Sequence, residues 1–364
     1  MEGFVERDVV RAHRNSVAVL DQADPQLIIA THRDAREAQL DALLAHGATR
    51  AGGAGHRALD EEPDAFRTCF ERDRDRILHS SAFRRLSGKT QVFVFPDDHM
   101  RTRLTHALEV AQVATSVARA VGLNVDLTDA IALGHDCGHG PGGHASEEAL
   151  DPYVEGGFDH ATWGADVALR HLNLCSETLD GIRNHSWSRP APSTPEGEVV
   201  SWADRIAYVC HDFEDAAAAG LVLVDDLPAL VRDRCGTSRR EQLGAFINAM
   251  IATIRETGVI GMDARHAEAL AAFRAFNYTS IYMRDASRLQ AQRVVGMLRA
   301  LVEHYAAHPT LLPDTALTPD VADTPEALAA AVEYVAGMTD RFACRSAVTL
   351  LAWPIDQLPN GIDR

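Results

Sequence analysis

Lysine is nearly missing from this sequence. Of its 35 basic residues, Lys89 is the only lysine and the others are arginine, whereas 52 residues are acidic and the formal net charge is −17. An acidic surface of this kind repels phosphate backbones, which argues against nucleic acid as the main partner. An anionic substrate would therefore need a local basic pocket or a bound metal ion.

The chain also lacks paired cysteines and long apolar runs. Its six cysteines are irregularly spaced and form no CxxC pair, which fits reduced thiols better than a disulfide framework. No apolar run reaches the length of a membrane span, and the N-terminus has no signal-peptide core. We therefore predict a cytoplasmic protein with no membrane partner.

Strand-like patterns are scarce as well. Apolar residues recur at helical spacing through 102–121, through 198–219 and along most of the chain after 237. The count of such segments predicts an all-α fold with few short strands. One candidate strand is 91–95, whose side chains alternate just before the turn at Pro96.

The length of 364 residues and the hydrophobic content of 46% suit one large helical domain or two smaller ones. We predict three parts. A helical N-terminal extension covers 1–66 and contains a flexible glycine-rich joint at 51–55. A core follows over 67–235, and a C-terminal helical part over 236–364 packs on that core.

The densest group of ligand-type side chains lies in the run 134–144, Gly-His-Asp-Cys-Gly-His-Gly-Pro-Gly-Gly-His. His135 and Asp136 are adjacent, and adjacent helical residues point about 100° apart, so one apolar stripe cannot bury both. Imidazole with carboxylate suits a divalent transition metal or a Mn-like ion if other elements supply further ligands. An isolated His-Asp pair is more often a polar helix end before a glycine-rich turn, so the rest of the chain must decide.

Two predicted helices could supply the further ligands. His106 lies in the first turns of helix 102–121, where a lone histidine is more often a core residue. In the helix that we predict from 198, Asp204, Tyr208 and Asp212 recur every four residues and therefore share one face. An exposed acidic stripe is the alternative, but a buried carboxylate needs a partner or a metal. We interpret Asp204 as a candidate ligand.

Basic residues crowd into 67–103, where they form either a solvated, ion-paired helix face or a guanidinium cluster for phosphates. His144 and Glu147 are three residues apart at the start of a predicted helix, after a glycine-rich turn, so both can face one cavity. Arg284 lies at a helix junction after Tyr282, and we consider it either a phosphate ligand or a surface arginine.

Together these residues resemble the HD-domain phosphohydrolases, and more closely their deoxyguanosinetriphosphate triphosphohydrolase-like branch. The resemblance covers roughly 67–345, and its motifs keep the order of the family. They are Arg-Asp-Arg-Asp-Arg-Ile at 72–77, Phe-Arg-Arg-Leu at 83–86, Lys-Thr-Gln-Val at 89–92, Arg-Thr-Arg-Leu-Thr-His at 101–106, the run 134–144, Ala-Asp-Arg-Ile-Ala-Tyr at 203–208 and Ala-Gly-Met-Thr-Asp at 336–340.

The resemblance implies a mostly helical HD fold and a metal-dependent reaction. Family members hydrolyse a deoxynucleoside triphosphate (dNTP) to deoxynucleoside and inorganic triphosphate. One divalent metal ion per site, either Mn²⁺, Mg²⁺ or another transition metal, would be held by His106, His135, Asp136 and Asp204. The resemblance also implies a homo-oligomer and, as a further partner, a dNTP that acts as an effector.

The same resemblance implies roles for other residues. His144 would protonate the leaving 5′ oxygen or relay protons, Glu147 would orient it, and His160 would lie near the phosphates. Six residues would contact the substrate: Lys89, Arg103, Tyr208, Asp212, Tyr282 and Arg284. The basic ones would balance the triphosphate charge, whereas Tyr208 and Asp212 would contact the deoxyribose and select it over ribose.

The chain departs from the family pattern at two places. The family commonly has Pro-Phe-Gly where this chain has Pro-Gly-Gly at 141–143, and the segment 158–163 lacks the family's Asn and Gln. We therefore infer no base preference. Two alternatives stay open: another HD-type nucleotidase or phosphodiesterase, and a nucleotide-binding regulator with little turnover.

Overall fold

The computed structural model describes residues 4–6, 9–13, 15, 32–96, 99–313 and 316–360. Its only sheet within these ranges is an antiparallel pair of strands, β1 (Phe4–Glu6) and β2 (Val9–Arg11). The described α-helices are α1 (Arg33–Asp41), α2 (Cys69–His79), α3 (Ser81–Arg85), α4 (Arg103–Val121), α5 (Val125–Gly134), α6 (His144–Leu150), α7 (His160–Trp163), α8 (Ser176–Asn184), α9 (Pro195–Ala218), α10 (Ala229–Cys235), α11 (Arg239–Thr257), α12 (Ala264–Asn277), α13 (Asp285–Ala307), α14 (Pro325–Ala336) and α15 (Asp340–Leu351). The all-α prediction is confirmed.

Local capping explains where two of the site-bearing helices begin. Asn124 caps α5 by accepting a hydrogen bond from a backbone N–H three residues on. Helix α9 begins earlier than the sequence predicts, at Pro195, with Thr194 as its cap. Proline suits the first turn of a helix because its missing N–H has no intrahelical partner there.

The strand predicted over 91–95 is wrong. These residues form a series of bends, and the nearest ladder contact is a single bridge between Thr90 and Thr102. An extended segment needs a neighbouring strand for its N–H and C=O groups, and none lies beside this one in the described ranges. Val92 and Val94 line a cavity instead.

Two clusters of buried apolar side chains hold the helices together. The first joins helices α2, α4, α5, α8, α9, α11 and α12, with Phe70, Ile131, Ile206 and Phe273 among its fully buried members. The second joins α6, α13, α14 and α15, with Leu298 at its centre. The first cluster continues well past residue 235, while the boundaries at 66 and 235 stay predictions.

The predicted flexible joint at 51–55 is packed against the core. Gly55 has φ +81°, and a Cβ there would lie 2.4 Å from the Cys175 sulfur and 2.8 Å from the Cys69 Cβ. Arg57, just beyond the joint, pairs at 2.6 Å with the fully buried Asp73 of α2.

All six cysteines are buried and unpaired. Within the described ranges, no helix is long and apolar enough to cross a membrane.

Asp340 links the C-terminal helices to the glycine-rich run. It is the first residue of α15 and is buried. Its Oδ2 accepts hydrogen bonds from the backbone N–H of Thr90 at 2.9 Å and from the Thr90 hydroxyl, and its Oδ1 accepts from Gly142 N–H at 2.8 Å. This carboxylate therefore fixes one wall of the cavity described next.

Candidate functional site

Four ligand-type residues from three helices converge at one point. His106 lies in the first turns of α4, His135 and Asp136 follow the last residue of α5, and Asp204 lies on α9. Asp204 Oδ1 is 3.0 Å from His106 Nε2 and 3.7 Å from His135 Nε2. The Asp136 carboxylate oxygens lie 3.5 Å from His135 Nε2 and 4.0 Å from His106 Nε2.

The donor set fits a divalent metal ion. His135 is fully buried, and its Nδ1 donates a hydrogen bond to Ala132 O at 2.7 Å, which leaves the Nε2 lone pair pointing at the cluster. That Nε2 has no hydrogen-bond partner in the structure. Burial opposes ionisation of Asp136, but the Arg103 guanidinium and His135 outweigh it and hold its pKa well below the usual value. Two imidazoles with two carboxylates are a donor set that suits a divalent metal ion.

A second group of histidines lies beside this cluster, around Glu147. Glu147 Oε2 accepts from His144 Nδ1 at 2.9 Å, and Oε1 accepts from His160 Nδ1 at 2.6 Å. Burial would raise the pKa of Glu147, but hydrogen bonds from these two histidines lower it far below its usual value. A carboxylate that accepts both Nδ1–H bonds leaves each Nε2 facing away from it, and His144, whose side chain is 74% exposed, lines the cavity.

The glycine-rich run makes these contacts geometrically possible. A Cβ at Gly138 would lie 2.0 Å from His160 O and 2.3 Å from Gly164 N, so only glycine lets the run approach α7 this closely. Helix α7 ends at Trp163, and the chain continues as a π-helical turn from Gly164. A Cβ at Gly142 would meet Val294 of α13 at 2.5 Å. Val294 therefore leaves no room for a side chain at position 142.

A cavity of about 530 Å³ opens in front of both groups and is rich in arginine. That volume lies within the usual range for small-molecule sites. Arg103, Arg205, Arg274 and Arg284 all line it, in a protein of strongly negative charge. Arg103 donates to Asp136 at 2.8 Å, while its Nε and Nη2 are buried without a partner. Unused guanidinium donors beside a metal cluster are suited to phosphate oxygens.

Tyr208, Asp212 and Tyr282 line the other side of the cavity. The Tyr282 hydroxyl donates to Asp212 Oδ2 at 2.5 Å, and Asp212 Oδ1 is buried without a partner. Burial raises the pKa of Asp212 to about 7. The Tyr208 hydroxyl accepts from Arg274 Nε at 3.0 Å. This face offers hydrogen-bond acceptors and a phenol ring to a neutral polar group such as a sugar.

Lys89 lies apart from the cavity lining. It is buried, and its Nζ donates to the backbone carbonyls of His139 and, at 3.1 Å, Ala336. Burial lowers its pKa to about 8. The structure therefore gives Lys89 a different position from the substrate contact expected above: it ties the glycine-rich run to the end of α14.

Replacing Lys89 with methionine is expected to destabilise the protein by about 2–4 kcal/mol, because two buried carbonyls lose their donor. The measurement is urea unfolding of the purified variant. The matched control is Arg84→Met at an exposed position, which is expected to change stability by less than about 0.5 kcal/mol. Unchanged stability together with a raised KM for nucleotide would instead support direct substrate contact by Lys89.

Most of the basic residues in 67–103 form ion pairs rather than a phosphate site. Arg67 pairs with Asp64 and Asp75, and Arg76 pairs with Glu61. Other pairs on this surface follow the same pattern: Arg72 with Glu61, Arg74 with Asp75, and Arg101 with Glu109, Glu214 and Asp215. Within this segment, Arg103 is the arginine that lines the cavity.

Sequence reasoning missed several cavity residues. Arg274 lies outside every motif, and Arg205 lies within the motif at 203–208 but was given no role. Trp187 lines the cavity with the Arg205 guanidinium 3.4 Å from its ring centroid. His185 is buried and directly follows an amphipathic helix, as His135 follows α5, and that parallel was a usable signal.

Comparison with known proteins agrees with this geometry. A family model for the HD domain matches residues 103–209, and one for the phosphohydrolase-associated domain matches 260–348. A deoxyguanosinetriphosphate triphosphohydrolase-like protein of Caldanaerobacter subterraneus subsp. tengcongensis is 39% identical over 308 residues, covering 83% of this chain and 90% of the relative. One of Desulfatibacillum aliphaticivorans is 37% identical and covers 84% and 93%.

Among solved structures, a hypothetical protein from Aquifex aeolicus matches 78% of this chain and 69% of its own, with 17% identity and a TM-score of 0.47. The sequence relatives are 37–39% identical and cover 83–84% of this chain and 90–93% of their own, and the residues matched by the HD model include all four ligand-type residues. This chain therefore belongs to the HD-domain phosphohydrolases, in the deoxyguanosinetriphosphate triphosphohydrolase-like family.

Proposed function

We propose that this protein hydrolyses deoxynucleoside triphosphates to deoxynucleoside and inorganic triphosphate. The observation that carries the proposal is the order of groups around one cavity. The cluster of His106, His135, Asp136 and Asp204, the histidines held by Glu147 and the polar face of Tyr208, Asp212 and Tyr282 meet at the same cavity. The names of the relatives point to the same substrate class.

The charge of the cavity supports a polyphosphate substrate. A triphosphate carries several negative charges, and the acidic protein surface would repel it elsewhere. Arg103 presents two unpartnered donors next to Asp136, and Arg205 and Arg274 line the same space. Arginine binds phosphate through two parallel hydrogen bonds, which fixes orientation as well as charge.

The reaction we propose is attack of water on the α-phosphorus. A bond forms between the water oxygen and phosphorus, and the bond from phosphorus to the 5′ oxygen breaks, so the triphosphate leaves intact. His106, His135, Asp136 and Asp204 would hold a divalent ion, which would supply Lewis-acid polarisation of a phosphate oxygen and a more acidic water. His144 donates a proton to the departing 5′ oxygen, because its Nδ1 is held by Glu147 and its other nitrogen faces the cavity.

His160 takes part through the same carboxylate. Glu147 accepts from His160 Nδ1 as well as from His144 Nδ1, so one carboxylate fixes the orientation of both rings. The Glu147 Oε1 also accepts from the His160 backbone N–H at 3.2 Å. A fixed ring orientation keeps each Nε2 at a constant position relative to the phosphates, which lowers the cost of reaching the transition state.

The sugar would lie along α9, between the ligand cluster and Asp212. Tyr208 and Asp212 follow Asp204 at intervals of four residues, which is about 6 Å per interval along a helix. The free Asp212 Oδ1 would accept a hydrogen bond from a 3′ hydroxyl. The Tyr208 ring would fill the space of a 2′ hydroxyl and so exclude ribonucleotides.

A product assay tests the proposed function. The protein with Mn²⁺ or Mg²⁺ is incubated with each of the four dNTPs, alone and mixed, and with ATP and GTP as ribose controls. We expect deoxynucleoside and inorganic triphosphate in equal amounts, and no turnover of ATP or GTP. Release of orthophosphate or a nucleoside monophosphate would contradict the proposal and favour another HD-type nucleotidase or phosphodiesterase. Tight binding without product would favour a regulator.

The mixed incubations also test for an effector. Activity that requires a second dNTP would support the effector site that the family resemblance implies. The homo-oligomer is a further proposal of the same origin, and the molar mass in solution with and without dNTP tests it. A monomeric enzyme that is fully active on a single dNTP would contradict both.

A further inference from the structure

One aromatic side chain of the cavity has no role in the function proposed above. Trp187 lies in the loop between α8 and α9, lines the cavity and is 46% exposed. The central carbon of the Arg205 guanidinium lies 3.4 Å from the centroid of its ring. We propose that Trp187 is a positioning residue for the triphosphate, whose indole holds the Arg205 guanidinium toward a phosphate group. The inference rests on the proposed function, in which the arginines of the cavity bind the triphosphate.

Arg205 has no counter-charge to hold it in place. In the part of the chain that the structure describes, it forms no ion pair with a carboxylate. Its Nε is buried without a hydrogen-bond partner. Burial lowers the pKa of Arg205, and the charge of Arg274 contributes to the same shift. A partly buried cation of this kind needs a compensating interaction, and the indole face supplies one.

An aromatic ring orients a cation without neutralising it. Arg67 and Arg76 pair with carboxylates, so their charges are already compensated. The face of an indole attracts a guanidinium through the ring quadrupole and adds no net negative charge. The Arg205 charge therefore stays available for a phosphate, and its guanidinium is held in one orientation on that side.

Trp187 is itself fixed to the helix that carries Arg205. Its Nε1 donates to the backbone carbonyl of Ser201 at 3.1 Å, and its ring meets the Trp202 ring edge to face with centroids 4.7 Å apart. Ser201 and Trp202 precede Arg205 on α9 by four and three residues, which places the three on one side of the helix. The indole therefore keeps a constant position relative to the guanidinium.

The loop that carries Trp187 is anchored near both of its ends. At its start, Ser201 Oγ donates to the backbone carbonyl of His185 at 2.5 Å. At its end, Asp180 Oδ2 accepts from the backbone N–H and the hydroxyl of Ser193, both at 2.7 Å. A side chain held before the ligand arrives loses little conformational freedom on binding, which favours affinity.

A nucleobase stacked on Trp187 is the competing arrangement, because aromatic side chains also stack on bases. The guanidinium covers one face of the ring at contact distance, so a base on that face would first have to displace Arg205. A ligand with phosphates but no base, and a ligand with a base but no phosphate, distinguish the two roles.

The test measures binding of inorganic triphosphate, which has no base, by isothermal titration calorimetry in the presence of Mg²⁺. Trp187→Leu is expected to weaken this binding by about 5–30-fold, the effect of one partly desolvated cation–π contact. In an Arg205→Met background the same change should alter binding by less than about 2-fold, because the cation that the indole holds is gone. Binding of deoxyadenosine, which has no phosphate, should be the same in Trp187→Leu as in the wild type.

Two further variants separate this role from general packing. Trp187→Phe keeps an aromatic face that attracts cations less strongly, so triphosphate binding should weaken by only about 2–5-fold. The matched control is Trp353→Leu, at a partly buried tryptophan outside the cavity lining, and its affinity should stay within about 2-fold of the wild type. In turnover assays, Trp187→Leu should raise KM for dNTP more than it lowers kcat, as expected when uniform binding is lost.

Three results would overturn the role of Trp187. The first is an unchanged triphosphate affinity in Trp187→Leu. The second is an equal loss of affinity with and without Arg205, since Trp187 would then act independently of the guanidinium. The third is weaker binding of deoxyadenosine with unchanged binding of triphosphate, which would assign Trp187 to the nucleobase. If circular dichroism finds Trp187→Leu unfolded, the same comparisons with Trp187→Phe decide.

These outcomes are distinguishable from failure of the proposed function, because triphosphate binding is measured without turnover. Release of orthophosphate from dNTPs, together with an Arg205-dependent loss of triphosphate affinity in Trp187→Leu, would contradict the proposed function and leave the role of Trp187 intact. Release of triphosphate, together with an unchanged affinity in Trp187→Leu, would contradict only the role of Trp187.

Discussion

Replacing His135 with glutamine is expected to lower kcat/KM for dNTP hydrolysis by more than about 10³-fold, because losing even one fixed donor in an active site costs about 10²–10³. His135 is fully buried, and its Nε2 has no partner in the protein. The variant should therefore lose the metal ion that His135 and the three other ligands would hold. The measurement is steady-state kinetics at saturating Mn²⁺ together with the metal content of the purified protein.

A thermal melt provides a second readout that does not require turnover. An ion that binds only the folded chain raises the melting temperature, so Mn²⁺ should stabilise the wild type and leave His135→Gln unchanged. His79→Gln, at an exposed histidine at the end of α2, is the matched control and should behave as the wild type. Full activity in metal-depleted His135→Gln would show that hydrolysis does not depend on this cluster.

Replacing His144 with glutamine is expected to lower kcat by about 10²–10⁴-fold, the usual contribution of a general acid, with metal binding and KM nearly unchanged. Glutamine keeps the size of the side chain but cannot supply the proton. The sharper measurement compares leaving groups. For a para-nitrophenyl triphosphate ester, whose leaving group needs no proton, the loss should shrink to less than about 10-fold.

Glu147→Gln should reproduce part of this loss, since Glu147 orients His144 and His160 without touching the leaving group. The loss of activity in Glu147→Gln should also be smaller for the para-nitrophenyl ester than for a dNTP. Glu148→Gln changes the adjacent, exposed carboxylate and serves as the matched control, with activity expected to be that of the wild type. An equal loss for His144→Gln with both leaving groups would exclude proton donation as its role.

Helix positions were predictable because they depend on local periodicity. The helix predicted over 102–121 appears where apolar spacing placed it. The strand predicted over 91–95 did not form, because strand formation depends on a neighbouring strand that a local pattern cannot reveal. The π-helical turn at Gly164 was not predicted either. It packs closely against Gly138, a residue distant in the sequence, and a local pattern does not reveal such a contact.

Site residues were predictable where they belong to motifs. The four ligand-type residues, His144 with Glu147, and the Tyr208–Asp212 pair all carry a signal in spacing or resemblance, and the structure brings them together around one cavity. Other residues carry no such signal. Arg274 reaches the cavity through helix packing, and nothing in its sequence neighbours distinguishes it from a surface arginine.

Charge placement was the least predictable feature. Lys89 has the charge expected of a phosphate ligand, yet its Nζ donates its hydrogen bonds to the carbonyls of His139 and Ala336. Arg67 and Arg76 are ion-paired on the surface, whereas Arg103, in the same basic segment, has two unused donors beside Asp136. Whether a cation is free for a ligand depends on which carbonyls and carboxylates surround it, and distant parts of the chain supply these.

The sequence by itself determined the helical class and the family, and it singled out four candidate metal ligands, because periodicity and motif spacing are properties of short segments. The tertiary structure alone decided which cations face the cavity and that His160 and His185 meet at 3.3 Å. Those arrangements join residues far apart in the chain, and their distances follow from the packing of helices such as α8 and α9 rather than from any local pattern.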